Sequence, residues 1–216
     1  MIQAICLGAG GHARVVIDIL QQTGSVEIVG LLTPDKCQFG KKVLGIPVLG
    51  DDTMLSELYE QGVRHAFLGV GSVERSELRC RLYEMIVQSG YKPVTAIHPA
   101  ATIARSASLG HGLTIMAGAV VGVGAHLGDN VIVNSAAVVE HDCEIGDHAH
   151  ISPGVRLAGG VRVGRRSHVG IGACVIENKN IGSGSTVGAG AVVVNDVPDN
   201  VVVMGIPARI LRAYAP

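Results

Sequence analysis

The residues best suited to chemistry are a histidine and an acid that follow each other, His141 and Asp142, in the run Val-Val-Glu-His-Asp-Cys at 138–143. An imidazole can accept a proton near neutral pH, and a carboxylate beside it can fix the tautomer and favour the protonated ring. Neighbouring residues of a strand point to opposite faces, so the two side chains meet only if the chain turns there. The pair predicts a general base with an orienting acid, or else two solvated side chains.

A second candidate site is the glycine-rich segment at 8–12, Gly-Ala-Gly-Gly-His. Gly8, Gly10 and Ala13 match G-x-G-x-x-[GA] between an apolar run and a helical pattern, where backbone N–H groups and a helix N-terminus can hold a phosphate. A dinucleotide site would place an acid at the end of the second strand, where this chain has Leu32-Thr33. We therefore expect a nucleotide or nucleotide-sugar site; a redox dinucleotide site and a purely structural turn are the alternatives.

Metal and thiol chemistry have less support in the sequence. His148 and His150 alternate as a metal pair would, but no further ligand cluster accompanies them, and we expect no metal. Cys143 could serve a two-step acyl transfer, although we interpret it as a packed core residue. Cysteine is odd in number and never spaced C-x-x-C, which predicts reduced thiols in the cytoplasm and no structural zinc.

A six-residue repeat must position the histidine, because every sixth residue from Ile97 to Val193 is Ile, Leu or Val. This period fits neither a helix nor a simple strand; it predicts a hexapeptide β-solenoid with the aliphatic residue pointing inward. Three hexapeptides make one coil, so residues eighteen apart stack. His150, nine residues after His141, lies half a coil away and could approach His141 only from a neighbouring chain.

The segment before the repeat alternates strand and helix patterns, which predicts a small parallel α/β sheet with a Rossmann-like connection. The expected helices are 13–22, 51–61 and 74–89; the expected strands are 2–7, 26–32 and 65–70, with a hairpin-like piece at 43–48. We expect a nucleotide-sugar-binding domain at 1–93, a solenoid at 94–197 and a capping tail at 198–216. Within the tail, 207–214 is predicted to form a short helix over the open coil end.

Composition restricts the class of protein further. The 216 residues are 48% hydrophobic but only 3% aromatic, with no Trp, which suits a narrow aliphatic core. The net charge of −1 gives no reason to expect nucleic acid or an anionic membrane as a partner. No apolar run reaches eighteen residues, and no basic segment precedes an apolar block at the N-terminus. We therefore expect a cytoplasmic protein without signal peptide or membrane insertion.

Several motifs together give the chain a family resemblance: the glycine segment at 8–12, Val-Leu-Gly-Ile-Pro-Val-Leu-Gly at 43–50, Ala-Val-Val-Glu-His-Asp-Cys-Glu-Ile-Gly-Asp at 137–147 and Gly-Ile-Pro-Ala-Arg at 205–209. Over essentially its whole length the chain resembles the hexapeptide-repeat acyltransferases of the sialic acid O-acetyltransferase and bacillosamine-pathway sugar N-acetyltransferase family. The resemblance implies a Rossmann-like domain followed by a left-handed parallel β-helix. It also implies an acetyl-CoA co-substrate and a homotrimer with active sites between subunits.

The resemblance also implies roles for individual residues. His141 corresponds to the catalytic base and Asp142 to its acidic partner. The positions implied for the coenzyme are His150, near the thioester, and Gly159, Ile171 and Ala189. The positions implied for the nucleotide sugar are Gly8, Gly10, Gly11 and His12 at the phosphates, with Asp35 and Gly71 near the nucleobase.

The expected reaction is direct acetyl transfer to the 4-amino group of a nucleotide-linked amino-deoxyhexose, with a backbone N–H of the solenoid steadying the thioester oxyanion. Many relatives carry two or three acids after the second strand, where this chain has Leu-Thr-Pro-Asp-Lys at 32–36, so both UDP- and GDP-linked sugars remain open. The alternatives are O-acetylation of sialic acid or a related sugar, a non-catalytic scaffold solenoid, and an NAD-linked regulator.

Overall fold

The polypeptide divides into two compact units in a computed structural model that describes residues 1–72 and 76–214. The first unit comprises residues 1–71 and 77–99. The second comprises Ser72, Ser76 and residues 100–214. The change from mixed helix and strand to pure repeat occurs near residue 100.

The first unit alternates strands with helices, as its sequence pattern predicts. Its strands are β1 Ile2–Leu7, β2 Val26–Leu32, β3 Lys42–Val43, β4 Ile46–Gly50, β5 His65–Leu68, β6 Lys92–Pro93 and β7 Ala96–Ile97. Its helices are α1 Gly11–Thr23, α2 Leu55–Glu60 and α3 Glu77–Gln88, with 3-10 turns η1 Lys36–Gln38 and η2 Asp52–Met54. The helix predicted at 51–61 is thus η2 followed by α2. The one predicted from 74 begins at Glu77, and positions 74–75 lie outside the described residues.

The sheet of this unit has the order β3-β4-β2-β1-β5-β6 and is parallel except for the β3–β4 hairpin. Strand β1 is central, and its residues from Ala4 to Leu7 are at most 2% exposed. Helix α1 buries Val16, Ile17 and Leu20 and is capped after Thr23 by Gly24, whose φ of 63° suits glycine. Parallel strands align their carboxyl ends, so the loops after β1, β2 and β5 share one edge of the sheet.

The repeat forms two-residue strands on three faces, named here A, B and C. Face A has β8 Thr102–Ile103, β11 Val120–Val121, β14 Val138–Val139, β17 Arg156–Leu157, β20 Cys174–Val175 and β23 Val192–Val193. Face B has β9 Ser108–Leu109, β12 His126–Leu127, β15 Glu144–Ile145, β18 Arg162–Val163 and β21 Asn180–Ile181. Face C has β10 Thr114–Ile115, β13 Ile132–Val133, β16 His150–Ile151, β19 His168–Val169 and β22 Thr186–Val187.

The six-residue pattern is confirmed, because every repeat residue from Ile97 to Val193 is the second residue of its strand. Strands pair in parallel with those eighteen residues away, as Val121 with Val139 and Val139 with Leu157. From Ile115 to Val193 every repeat residue is at most 2% exposed. Burial of each such aliphatic side chain stabilises the fold by roughly 1.5–3 kcal/mol. The second unit is therefore a left-handed parallel β-helix with a mainly aliphatic core.

The tail corrects one prediction, because no helix forms at 207–214. The chain continues face C as β24 Val201–Met204, turns at Gly205 and returns as β25 Arg209–Ala213, antiparallel to β24. The free edge of β24 would leave backbone N–H and C=O groups unpaired, and a helix could not satisfy them. A returning strand satisfies them, so the open coil end carries a hairpin.

Within residues 1–72 and 76–214, no helix has the length and apolar character needed to cross a membrane.

Candidate active site on the solenoid and candidate anion-binding edge of the sheet

His141 and Asp142 occupy the corner between β14 on face A and β15 on face B. Asp142 has a φ of 57°, in the left-handed region, and this turn brings its side chain beside that of its neighbour. The His141 Nδ1 lies 2.9 Å from the Asp142 Oδ2. Their side chains are 63% and 72% exposed. The chain therefore turns at this corner, which is the condition for contact between two neighbouring side chains.

The electrostatics of the pair suit a general base. The hydrogen bond to Asp142 raises the pKa of the His141 imidazole above its ordinary value, with added help from the negative charges of Asp142 and Glu140. A carboxylate only accepts hydrogen bonds, so Nδ1 carries the proton and Nε2 keeps a free lone pair. The ring can therefore take a proton from a bound substrate through Nε2.

Two glycines make room for this pair on the neighbouring coils. An added Cβ at Gly159, one coil after His141, would lie 2.5 Å from the imidazole Cε1 and Nε2. An added Cβ at Gly124, one coil before, would lie 2.6 Å from the Asp142 Oδ1. The imidazole therefore lies directly against Gly159 and the carboxylate against Gly124. Among residues 1–72 and 76–214, the Gly159 N–H has no hydrogen-bond acceptor.

Cys143 is a core residue in this structure. Its side chain is fully buried, and its Sγ donates to the Ala158 carbonyl at 3.2 Å. Burial raises the pKa of the thiol. A nucleophilic cysteine needs an accessible thiolate, so the geometry favours direct transfer over a covalent cysteine intermediate.

Replacing Asp142 by asparagine tests the coupling within the pair. The pKa of His141 is expected to fall towards its ordinary value, so the acidic limb of the kcat/KM profile should move to lower pH. Turnover on the plateau should fall by at least about tenfold, since loss of the orienting acid costs up to ~10⁴ in serine hydrolases. A pH–rate profile of both proteins measures the two effects, and an unmoved limb would refute the coupling.

His150 lies away from this corner, on face C, and is 8% exposed. Its Nδ1 lies 3.1 Å from the Ser72 carbonyl oxygen and 3.2 Å from the Ser72 hydroxyl. Its Nε2 lies 3.1 Å from the Asn134 Nδ2. Since a carbonyl only accepts, Nδ1 carries the hydrogen and Nε2 accepts from Asn134. Ser72 lies seventy-eight positions away, and no spacing in the sequence pairs it with His150.

Ile171 and Ala189 lie together on a different corner, between faces C and A. They are eighteen residues apart, and the Gly190 N–H donates to the Ile171 carbonyl at 2.8 Å. Ile171 is 57% exposed. Gly159 shares the His141 corner, so the four positions implied for the coenzyme fall on three separate parts of the β-helix surface.

The glycine loop connects β1 to α1 at the carboxyl edge of the sheet. Gly8 has a φ of 114°, and an added Cβ would lie 2.7 Å from Val70 and 2.8 Å from the Gly69 backbone, so only glycine fits. Gly10 and Gly11 face open space at the N-terminus of α1, which carries neither a side-chain cap nor an acid in its first turn. Unpaired N–H groups of such a helix end can bind an anion.

His12 lies beside Gly71 at the same edge, its Cβ and ring atoms 3.5–3.6 Å from where a Gly71 Cβ would stand. Burial, followed by the positive charge of Arg79, lowers the pKa of His12 to about 4. A neutral imidazole is therefore present at this edge at physiological pH.

The lowered pKa of His12 predicts an acid-sensitive stability. The unfolded chain binds a proton as pH falls below about 6.5, whereas the folded chain does so only near pH 4, so the free energy of unfolding should decrease across that window. His12 should account for on the order of 1–2 kcal/mol between pH 7.5 and 5. Denaturant unfolding of wild type and His12→Gln at both pH values measures this, and NMR titration of the ring gives its pKa directly. An ordinary midpoint for the ring would contradict the prediction.

The Asp35 carboxylate caps the 3-10 turn that follows it. Its Oδ1 accepts from the Cys37 N–H at 3.0 Å and its Oδ2 from the Gln38 side chain at 2.9 Å, which caps η1. These hydrogen bonds, with that of Gln38 the larger cause, lower the pKa of its carboxyl group.

A cavity of about 160 Å³ opens beside the glycine loop, and Asp35 is not part of its wall. Its lining is Leu7, Gly8, Leu32, Thr33, Pro34, Asp52, Val70, Leu78, Arg81 and Leu82. Among the described residues, the acid that lines this cavity is Asp52, which the sequence pattern did not single out. In the sequence, Asp52 could have been recognised only as a second acid that directly follows Asp51, the residue that caps η2.

In the same described part of the chain, no group of three or more His, Cys, Asp or Glu side chains could hold a metal ion.

Two families match separate parts of the chain. Residues 3–86 match the PglD N-terminal domain, and residues 124–159 match the bacterial transferase hexapeptide of six repeats. No curated protein matches the chain. The first match contains the glycine loop, and the second contains the His141 corner and Gly159.

Solved structures match over nearly the full length. A mutant of GDP-perosamine N-acetyltransferase from Caulobacter crescentus, in complex with CoA and GDP-perosamine, is 40% identical with a TM-score of 0.91, and 97% of each chain is covered. The acetyltransferase domain of PglB from Neisseria gonorrhoeae, in complex with acetyl coenzyme A, is 40% identical with a TM-score of 0.88, covering 97% of this chain and 98% of the other. WeeI from Acinetobacter baumannii, at 21% identity over 98% of this chain and all of the other, shares the fold with a TM-score of 0.63. By its motifs, its fold and these full-length likenesses, the chain belongs to the hexapeptide-repeat sugar acetyltransferases that join a PglD-type N-terminal domain to a left-handed β-helix.

Proposed function

We propose that the protein is an acetyl-CoA-dependent N-acetyltransferase that acts on the 4-amino group of a nucleotide-linked amino-deoxyhexose for surface glycan biosynthesis. The observation that carries this proposal is the exposed His141–Asp142 pair with a free Nε2, at a β-helix corner of a chain from this family. The Caulobacter relative, whose solved complex contains CoA and GDP-perosamine, supports the same donor and acceptor classes.

The proposed reaction is a direct transfer. The sugar amine attacks the thioester carbonyl carbon, the new C–N bond forms and the C–S bond breaks. His141 takes the proton from the attacking nitrogen through Nε2 and passes it to the departing sulfur, so coenzyme A leaves as the thiol. Asp142 holds the ring and balances its positive charge. The Gly159 N–H, which points to no acceptor in the described residues, is our candidate donor to the developing oxyanion.

The donor and acceptor are assigned to different parts of the chain. We propose that Gly159, Ile171 and Ala189 contact the coenzyme, and that His150 does so by exchanging its Asn134 hydrogen bond. For the nucleotide sugar, the backbone of Gly8, Gly10 and Gly11 and the neutral ring of His12 would hold the phosphates, with Asp35 and Gly71 further along the same edge. We propose that the domain at 1–93 binds the nucleotide sugar and that the domain at 94–197 catalyses acetyl transfer. The tail at 198–216 would cap the coil.

We further propose a homotrimer with active sites between subunits, working in the cytoplasm, where acetyl-CoA and nucleotide sugars are made. The β-helix surface carries exposed apolar side chains that suit burial between subunits, Val123, Ile171 and Ile176 among them. Such packing would also bring the coenzyme positions of separate corners together across subunits. Sedimentation should give three times the chain mass of 22.3 kDa.

Thiol release from acetyl-CoA, with UDP- and GDP-linked 4-amino sugars and free sialic acid as acceptors, tests the reaction. Release with a nucleotide-linked amino sugar, together with an N-acetylated product by mass spectrometry, is the expected result. Release with sialic acid alone would replace the proposal by O-acetylation.

A further inference from the structure

The cavity beside the glycine loop has a volume and a lining that suit one flat ring. Its volume of about 160 Å³ is below the 300–1,000 Å³ of sites that enclose whole drug-sized ligands. Its walls are largely aliphatic, with Leu7 and Leu32 at the ends of β1 and β2, and Leu78 and Leu82 one helical turn apart on α3. Apolar walls suit the two faces of an aromatic base, and Gly8 joins the cavity to the loop proposed for the phosphates.

Among the described residues, the charged side chains at this cavity are Asp52 and Arg81, and their charges are opposite. Asp52 stands on η2, and its carboxylate makes no hydrogen bond or ion pair to residues 1–72 or 76–214. The neighbouring Asp51 differs, since its Oδ1 accepts from the Thr53 N–H at 3.1 Å and from the Thr53 hydroxyl. Arg81 stands on α3 and likewise has no polar partner in the described residues. Both charged groups are therefore available to a ligand.

The chemistry of these groups distinguishes among the bases. A carboxylate only accepts hydrogen bonds, so its best partner presents two adjacent N–H donors. Guanine alone does so, through N1–H and the 2-amino group. Uracil and thymine present one N–H between two carbonyls, and adenine and cytosine place a bare ring nitrogen beside their amino group. A guanidinium pairs well with O6 and N7 of guanine.

We infer that this cavity binds the base of the acceptor and selects guanine, with Asp52 accepting from N1–H and the 2-amino group and Arg81 donating to the O6 side. The inference rests on the proposed function and extends it from a nucleotide sugar to a GDP-linked one. It moves base recognition away from Asp35, whose carboxylate caps η1.

Calorimetric titration of the full-length protein with GDP, IDP and UDP tests the inference. GDP should bind about ten- to a hundredfold more tightly than UDP, the range expected of one good bidentate pair. IDP, which lacks the 2-amino group, should fall between them. Asp52→Asn offers one acceptor and one donor, which suits uracil, so the GDP-to-UDP ratio should drop to near one. Glu60→Gln, which neutralises an exposed acid at the end of α2 outside the cavity wall, should leave the ratio unchanged.

The outcomes separate this inference from the proposed function. Equal or tighter binding of UDP by the wild type, or an unchanged ratio in Asp52→Asn, would overturn guanine selection while leaving acetyl transfer to a nucleotide sugar in place. If no nucleoside diphosphate binds, guanine selection and the nucleotide-linked acceptor are both wrong. Thiol release from acetyl-CoA with an acceptor that lacks a nucleotide would then identify the remaining activity.

Discussion

Replacing His141 by alanine is expected to lower kcat/KM for acetyl transfer by about 10²–10⁴-fold, the usual contribution of a positioned general base. The imidazole is the proton acceptor of the proposed reaction, and Nε2 is its only nitrogen not bonded to Asp142. Because the side chain is 63% exposed, its removal should leave thermal unfolding unchanged. Steady-state thiol release and a melting curve of the same preparation measure both effects.

His126→Ala provides the matched control. His126 is also an exposed histidine of the β-helix, but it points outward from face B rather than lying at the corner beside Gly159. Its variant should keep wild-type turnover, and calorimetric binding of coenzyme A should be similar in all three proteins. Near-wild-type turnover in His141→Ala would exclude this residue as the base.

Much of the architecture is visible in the sequence because the physical constraint repeats. One aliphatic residue must fill each short strand, so the period from Ile97 to Val193 locates the two-residue strands of faces A, B and C. The secondary structure of the tail could not be predicted in this way, because the isolated segment 207–214 belongs to no repeat. Its conformation is decided by the unpaired edge of β24, a demand of tertiary structure that local propensity does not contain.

The candidate sites were predictable only in part. The adjacency of His141 and Asp142 is in the sequence, but their contact depends on the left-handed φ of Asp142, which only the corner imposes. Asp35 and Asp52 are both acids in loops after strands, and nothing in their types separates them. The structure does so, because the Asp35 carboxylate is used by its own turn, whereas Asp52 lies at the cavity.

Gly159→Ala is expected to lower kcat by about a hundredfold while leaving the fold intact. The new methyl group would lie 2.5 Å from the His141 ring, and the exposed ring would have to move away. A displacement of about 1 Å at a reacting group is enough for a loss of this size. The backbone should tolerate alanine, since Gly159 is not among the residues of positive φ. Equivalent corner positions in other coils carry Arg105, Val123 and Glu177, so the backbone does not require glycine there.

A double-mutant cycle with His141→Ala decides how Gly159 acts. If its main role is to leave space for the imidazole, Gly159→Ala should cost about a hundredfold in the wild type and almost nothing further once the ring is gone. If Gly159 instead serves mainly by contact with the coenzyme, the fold losses in kcat of Gly159→Ala and His141→Ala should multiply in the double variant. Gly159→Ala should then also weaken coenzyme A binding, both in the wild type and in His141→Ala. The glycine eighteen residues after the histidine would in the first case be a positioning residue for the base. Its presence at that spacing would then be a sequence signal for which corner of a hexapeptide solenoid carries out the chemistry.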